Sequence, residues 1–286
     1  MKLIAIDLDG TLLSSNHEIS DININALKKA QEQGHVVAIC SGRAPESIHG
    51  LLQTYKLDCP IAASNGTVVK VDEKVIGMTS IEKEKVANIS EILNREQFPF
   101  RIYTNDGIYI PKNWESRLEN VLNEPGIPDE YRKHQHFERM LEHPQGLVDG
   151  IKTFEDIHVL LDDESLLVQK FFVLTINPEK KTKLNNLLNE VEQIGVTSSA
   201  PFNIEVMNMD GHKGIGLRTL ADYFNIPMED TVAIGDNFND VPMFEAAGLA
   251  IAMGNAEEDV KKVCDVTTSS NNEHGVAHAF ETYILK

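Results

Sequence analysis

Five short, largely apolar runs, each ending abruptly at a polar or glycine-bearing residue, constrain this chain more than any other feature. Leu3-Ile4-Ala5-Ile6 meets Asp7, and Val36-Val37-Ala38-Ile39-Cys40 meets Ser41-Gly42-Arg43. Ile61-Ala62-Ala63 meets Ser64-Asn65-Gly66, Thr231-Val232-Ala233-Ile234 meets Gly235-Asp236-Asn237, and Leu249-Ala250-Ile251-Ala252-Met253 meets Gly254-Asn255. Apolar stretches without alternation suit strands buried on both faces, the condition of a parallel sheet. Helical patterns lie between them. Ser20 and Asp21 open one that carries Ile24, Leu27 and Ala30 on a single face and stops at Gly34; Leu217, Leu220, Ala221 and Phe224 recur at helical spacing after Gly214. This alternation predicts an α/β fold with a doubly wound, Rossmann-like parallel sheet. Ligands of such sheets sit at the carboxyl ends of the strands, where Asp7, Asp9, Ser41, Asn65 and Asp236 all fall.

The middle of the chain has a different texture. From about Ile81 to Met207 aromatics and histidines are denser, among them Phe98, Phe100, Tyr103, Tyr109, Trp114, Tyr131, His134, His136, His143 and His158. Amphipathic helices around Val86–Leu93 and Leu184–Ile194 are separated by strand-like stretches at Phe100–Tyr103 and Phe171–Ile176. The expected organisation is a core formed by residues 1–82 and 208–286, with an α+β domain, residues 83–207, inserted into it. No internal repeat or low-complexity segment interrupts this plan.

Charge excludes one class of partner. The 286 residues carry 26 basic and 44 acidic side chains, a formal net charge of −18, which a nucleic-acid backbone would repel. The densest basic group, Lys180-Lys181 with Lys183, reads as a helix face. The apolar run at the N-terminus is shorter than the roughly 7–15 residues of a signal peptide, and no stretch approaches the roughly 20 of a membrane span. Cys40, Cys59 and Cys264 are odd in number and form no C-x-x-C pair, as expected of buried thiols in a reducing compartment. The expected setting is therefore cytoplasmic, with no membrane and no obligate protein partner.

Asp7-Leu8-Asp9-Gly10-Thr11 places two carboxylates two residues apart just past a strand. It lacks the further acidic ligands and closing glutamate of a calcium loop. His274 and His278 are four apart but have no third ligand nearby, so they read as packing of a terminal helix. His134 and His136 alternate as on the solvated face of a strand. Gly211, Gly214 and Gly216 do not make a dinucleotide-binding pattern.

Taken in order, Asp7-x-Asp9-Gly10-Thr11, Ser41-Gly42-Arg43, Asn65-Gly66, Lys213-Gly214, Gly235-Asp236-Asn237-Phe238-Asn239-Asp240, Ala246-Ala247-Gly248 and Ala252-Met253-Gly254-Asn255 span the chain. The whole resembles the haloacid dehalogenase superfamily of phosphatases, in its Cof-type branch. The resemblance implies a Mg²⁺-dependent phosphomonoester hydrolase whose substrates are small cytosolic phosphates: sugar phosphates, flavin mononucleotide or phosphorylated vitamins. It implies that Asp7 attacks phosphorus to form an aspartyl-phosphate, and an ordinary carboxylate would be ionised at neutral pH with no helper base. Asp9 becomes the general acid and base, its proton retained through neighbouring carboxylates. The implied metal ligands are the Asp7 and Asp236 carboxylates and the Asp9 backbone carbonyl, with Asp240 either a ligand or an orienting residue. The Ser41 hydroxyl, the Leu8 and Gly42 amides, Lys213 and Asn239 are implied to bind phosphate. Arg43 and Asn65 either reach substrate or fix the local turn. With Asp9 protonated, Asp7, Asp236 and Asp240 against Lys213 leave two negative charges, which one Mg²⁺ cancels before a phosphate dianion enters. The inserted domain would act as a cap that excludes water and reads the leaving group. The rivals are a sugar phosphomutase of the same superfamily and a non-catalytic phosphometabolite-binding protein.

Overall fold

The computed structural model describes residues 1–133 and 151–285. The chain separates into two compact units, Met1–Met78 with His212–Lys286, and Thr79–Gly211. These divisions fall at 78 and 211, where the sequence boundaries were drawn at 82 and 207.

The first unit is built on one eight-stranded sheet. Its strands are β1 (Leu3–Ile6), β2 (Val36–Cys40), β3 (Ile61–Ala63), β4 (Val68–Val71), β5 (Lys74–Met78), β12 (Thr231–Gly235), β13 (Leu249–Ala252) and β14 (Val266–Thr267), in the order β14-β13-β12-β1-β2-β3-β4-β5. Six of them run parallel, and β4 and β5 add an antiparallel edge. Alternation within β1 explains why its run is apolar throughout. Ile4 and Ile6 pack on one face with Ile24 and Leu27 of the helix Asp21–Glu32, Ile48 and Leu52 of Pro45–Tyr55, and Val276 and Phe280 of Gly275–Tyr283. Leu3 and Ala5 pack on the other with Leu217 and Leu220 of Lys213–Phe224 and Met243 and Phe244 of Val241–Ala246. A sheet covered on both faces has no solvent side to tolerate polar residues, so polarity is confined to the strand ends. Ser20 caps its helix by accepting from the Asn23 amide. His274 and His278 lie beside separate hydroxyls, Ser20 Oγ at 2.9 Å and Thr268 Oγ1 at 3.0 Å, in keeping with packing rather than ligation.

The second unit has its own six-stranded sheet: β6 (Phe100–Thr104), β7 (Gly107–Pro111), β8 (Lys152–Phe154), β9 (Val168–Leu174), β10 (Ile194–Thr197) and β11 (Asn203–Asn208), in the order β10-β11-β9-β6-β7-β8. All pairs are antiparallel except β7 with β8. Phe100, Ile102, Phe171, Val173, Ile204 and Val206 share a core with Val86, Ile89 and Leu93 of the helix Lys83–Arg95 and with Leu184 and Leu188 of Pro178–Asn189. The sequence expectation of a helix reaching Ile194 is corrected here. The helix ends at Asn189, Gln193 takes a left-handed conformation (φ 58°), and Ile194 opens β10, because pairing with β11 overrides the helical pattern. The strand expected at 171–176 instead starts at Val168 and ends at Leu174. Lys180 and Lys183 are paired with Glu124 and Glu96, and Lys181 donates to Ser198 Oγ and the Pro201 carbonyl. The basic group is thus engaged within its own unit. His134, His136 and His143 lie outside the described residues. Among the described residues, no helix is long and apolar enough to cross a membrane.

Candidate active site

Every expected site residue belongs to the first unit, on loops that leave the strand ends except Lys213, which opens a helix. Asp7 is the first residue past β1, and its amide continues the ladder by donating to the Ile234 carbonyl at 2.9 Å. The chain then coils tightly: the Thr11 and Leu13 amides donate to the carbonyl of fully buried Leu8, and the Leu12 amide to that of Asp7. Gly10 sits at φ +86°, and a Cβ there would lie 2.3 Å from Asp236 Oδ2. Only glycine allows so close an approach. Thr11 Oγ1 donates to Asp236 Oδ1 at 2.7 Å, fixing the second carboxylate against the first loop. Asn255 Nδ2 donates to the Gly10 carbonyl, Asn271 Nδ2 donates to the Leu13 carbonyl, and the Asn271 amide donates to Asn255 Oδ1.

Lys213 opens the helix Lys213–Phe224, whose glycines let it lie almost on its neighbours. A Cβ at Gly214 would be 2.3 Å from the Pro242 carbonyl oxygen, and one at Gly216 would be 2.7 Å from the Ala62 side chain. That close packing is what this glycine cluster is for, and it delivers a fully buried lysine to the strand ends. Lys213 Nζ donates to Asp7 Oδ1 at 2.6 Å and to Asp240 Oδ1 at 2.5 Å. Asp240 Oδ2 accepts from the amides of Asp236 and Asn237 at 2.9 and 3.0 Å, so both of its oxygens hold other parts of the site.

Asp7, Asp236 and Asp240 each bring one carboxylate oxygen within 4.8 Å of the others. Three hard oxygen donors gathered in this way fit a Mg²⁺ ion. Burial raises Asp7 to about 7; Lys213 opposes the rise, while Asp240 and Asp9 add to it. Burial likewise holds Asp236 well above the usual carboxylate range, with Asp7 and Asp240 contributing. Burial alone would lower Lys213, but Asp240 and Asp7 outweigh it and keep the ammonium charged. Ionisation of Asp7 at neutral pH, expected with no helper base, thus depends on a compensating cation in this buried cluster, in line with the cation that the charge count requires.

A second group stands beside the first. The Asp9 carboxylate accepts from Arg43 Nε at 2.8 Å and Nη2 at 2.6 Å. The sequence reading gave Asp9 other carboxylates as its determining neighbours; the structure gives it a guanidinium. Four carboxylates (Asp7, Asp9, Asp236, Asp240) then face two cations (Lys213, Arg43), and the excess of two negative charges remains with Asp9 ionised. Ser41, buried at the end of β2, accepts the Arg43 amide on its Oγ at 3.2 Å, with Gly42 between them. Because β1 and β2 pair in register, Ile6 with Ile39, the loops after them start side by side. Asn65, with a left-handed backbone (φ 61°), is buried and accepts from Asn239 Nδ2 at 3.2 Å. Capping of the short turn Phe238–Asp240 falls to Asn237, which leaves Asn239 to this contact.

Thr11 and Asn255 lay within the sequence motifs without an assigned task, and Asn271 carried no sequence signal. Their roles depend on which loops meet, not on local pattern.

A doubly wound sheet that gathers carboxylates and one buried lysine at its strand ends defines a hydrolase core of a known kind. The chain belongs to the haloacid dehalogenase-like hydrolases, whose family model matches residues 4–280, and it is a phosphatase. Phosphatase YwpJ of Bacillus subtilis (strain 168) is 34% identical over 281 residues, covering 97% of this chain and 98% of YwpJ. The 5-amino-6-(5-phospho-D-ribitylamino)uracil phosphatase YwtE of the same organism is also 34% identical over 281 residues, covering 97% and 96%. The solved structure of a haloacid dehalogenase-like hydrolase from B. subtilis superposes with a TM-score of 0.87 at 32% identity, covering 99% of this chain and all of that one.

Proposed function

We propose that this phosphatase hydrolyses monoesters of small phosphorylated metabolites by way of an aspartyl-phosphate on Asp7. The observation that carries the reading is the buried cluster of Asp7, Asp236 and Asp240 around Lys213, with its excess of negative charge. Mg²⁺ held by the Asp7 and Asp236 carboxylates and the Asp9 backbone carbonyl would supply positive charge to the transferring phosphoryl group and keep Asp7 ionised. Asp240 is the orienting residue of this set, since its oxygens are already bonded to Lys213 and to the amides of Asp236 and Asn237.

An Asp7 oxygen attacks phosphorus, and the bond from phosphorus to the ester oxygen breaks. For this step Asp9 must enter protonated, with one of its oxygens turned from Arg43 to the ester; it gives that proton to the leaving oxygen, a contribution typically worth about 10²–10⁴ in rate. The departed alcohol leaves Asp9 ionised, ready to take a proton from the water that attacks the phosphoenzyme. Free phosphate and Asp7 are regenerated. The amides of Leu8 and Gly42, the Ser41 hydroxyl, the Asn239 amide and the Lys213 ammonium hold the phosphoryl oxygens meanwhile, and Asn65 steadies Asn239. The inserted unit, a separate fold with its own core, is the part we assign to choosing among leaving groups.

The family resemblance supports sugar phosphates, flavin mononucleotide and phosphorylated vitamins as the substrate class, and the name of the relative YwtE adds a phosphoribitylamino-pyrimidine. A panel of these esters with Mg²⁺ and a phosphate-release assay tests the reading. Free phosphate supports hydrolysis. Isomerised sugar phosphate without phosphate release would make the chain a mutase, and tight binding with no turnover of any ester would make it a binding protein.

A further inference from the structure

We propose that Arg43 is the positioning residue for Asp9, setting the carboxylate where it serves the leaving oxygen and tying that placement to the phosphate-binding end of β2. The inference rests on the reading of Asp9 as the general acid and base and extends it to a residue whose role was open between substrate contact and turn formation.

Asp9 is in the coil after β1, its side chain 29% exposed, with Asp7 two residues before it. Two ionised carboxylates so close in the chain repel. A carboxylate with two rotatable bonds in that setting turns away from Asp7 unless something holds it. Arg43 does so through both oxygens of the ionised carboxylate, a fork-to-fork pair that a planar guanidinium makes and an ammonium cannot, and through one of them when the other carries the proton.

The guanidinium is itself anchored at its backbone. The Arg43 amide donates to Ser41 Oγ at 3.2 Å, and the Arg43 carbonyl accepts from the Ser64 amide at 2.8 Å. Ser64 and Asn65 take consecutive left-handed conformations (φ 49° and 61°), which asparagine tolerates and serine seldom adopts. That turn directs the Ser64 amide to Arg43 and the Asn65 amide to the Ser41 carbonyl. One residue thus grips the proposed phosphate-binding hydroxyl with its backbone and the proposed proton carrier with its side chain. A displacement of either loop moves both groups together. The pair stays partly open to solvent, 14% at Arg43 and 29% at Asp9, and joins the proposed acid to the proposed phosphate-binding loop, so its geometry points to catalysis.

The test compares Arg43→Ala, Arg43→Lys and Asp9→Asn on two esters: the best alkyl phosphate of the panel, and p-nitrophenyl phosphate, whose leaving group departs without a proton. Arg43→Ala is expected to lower kcat on the alkyl ester by about 100-fold, the scale of a misplaced catalytic group. On the nitrophenyl ester it should lose less than about 3-fold, with KM for both nearly unchanged. Arg43→Lys should recover little. In the Asp9→Asn background, Arg43→Ala should cost nothing further, because its purpose is gone.

A raised KM with kcat intact would instead make Arg43 a substrate contact. Equal losses on both esters, or losses that add in the double variant, would make it structural. If Asp9→Asn alone slows both esters equally, the reading of Asp9 falls, and Arg43 has no acid to position. That result comes from a variant with Arg43 untouched, so the two failures are separable. Thermal melts check folding, and Arg43→Gln replaces Arg43→Ala should the latter unfold.

Discussion

Each unit of the molecule buries a lysine, and the two surroundings differ in one respect. In the inserted unit Lys170 pairs with the Glu205 carboxylate at 3.2 Å, with the Tyr103 ring 4.8 Å from its Nζ and Ser199 Oγ donating to the other Glu205 oxygen. In the core unit Lys213 lies between Asp7 and Asp240, Asp236 is within reach of both, and the Asp9–Arg43 pair is alongside. Among the described residues, the pair at Lys170 is one to one in charge and the group at Lys213 is not. A matched buried pair serves the fold; a buried surplus of one sign works against folding and marks where a ligand of opposite sign belongs.

Neutralising one acid in each unit should break this contrast in opposite directions. Asp7→Asn is expected to reduce phosphate release by about 10⁴-fold or more. It should also raise the melting temperature of the metal-free protein, because it removes a charge from the crowded site. Glu205→Gln, in contrast, should destabilise by about 3–5 kcal/mol, because it removes the Glu205 charge from beside buried Lys170. Denaturant titration measures that loss. A neutral Glu205→Gln or a destabilised metal-free Asp7→Asn would erase the distinction between the sites.

Metal and pH sharpen it further. With a chelator present, Asp7 keeps its proton in the folded state up to about 7, whereas the unfolded carboxylate releases it near 3.8. Between those values the folded state binds more protons, so stability falls as pH rises through this window. Asp236 is shifted in the same direction. The melting temperature in chelator should decline from pH 4 to 7, and saturating Mg²⁺ should abolish the decline. A flat profile in chelator would contradict the charge surplus. The smallest effect concerns the thiols, which burial raises to about 12 at Cys40, Cys59 and Cys264. At pH 8 a thiol reagent should label the folded protein slowly and all three cysteines quickly in denaturant.

The sequence made most of the core legible because its strands are buried on both faces: β1, β2, β3, β12 and β13 all show as apolar runs. The edge strands β5 and β14 and the antiparallel β4 did not, and β10 was hidden at the end of a helical pattern that sheet pairing cut short. Lys170, polar yet fully buried, interrupts the apolar pattern of β9 for the same kind of reason: its partner Glu205 is supplied by another strand. At the site, residue types at strand ends were readable from order and spacing. What they touch was not. The grip of Arg43 on Asp9, of Thr11 on Asp236, and of Asn255 and Asn271 on the first loop arises only when distant segments meet. The elevated proton affinity of Asp7 depends equally on burial that local sequence does not express.

The account turns on a site whose negative surplus is completed by a divalent cation, and phosphate binding reports on that directly. Calorimetric titration of inorganic phosphate into the protein, once in chelator and once in saturating Mg²⁺, should give measurable binding only with Mg²⁺. Equal phosphate affinity in the two conditions would contradict it.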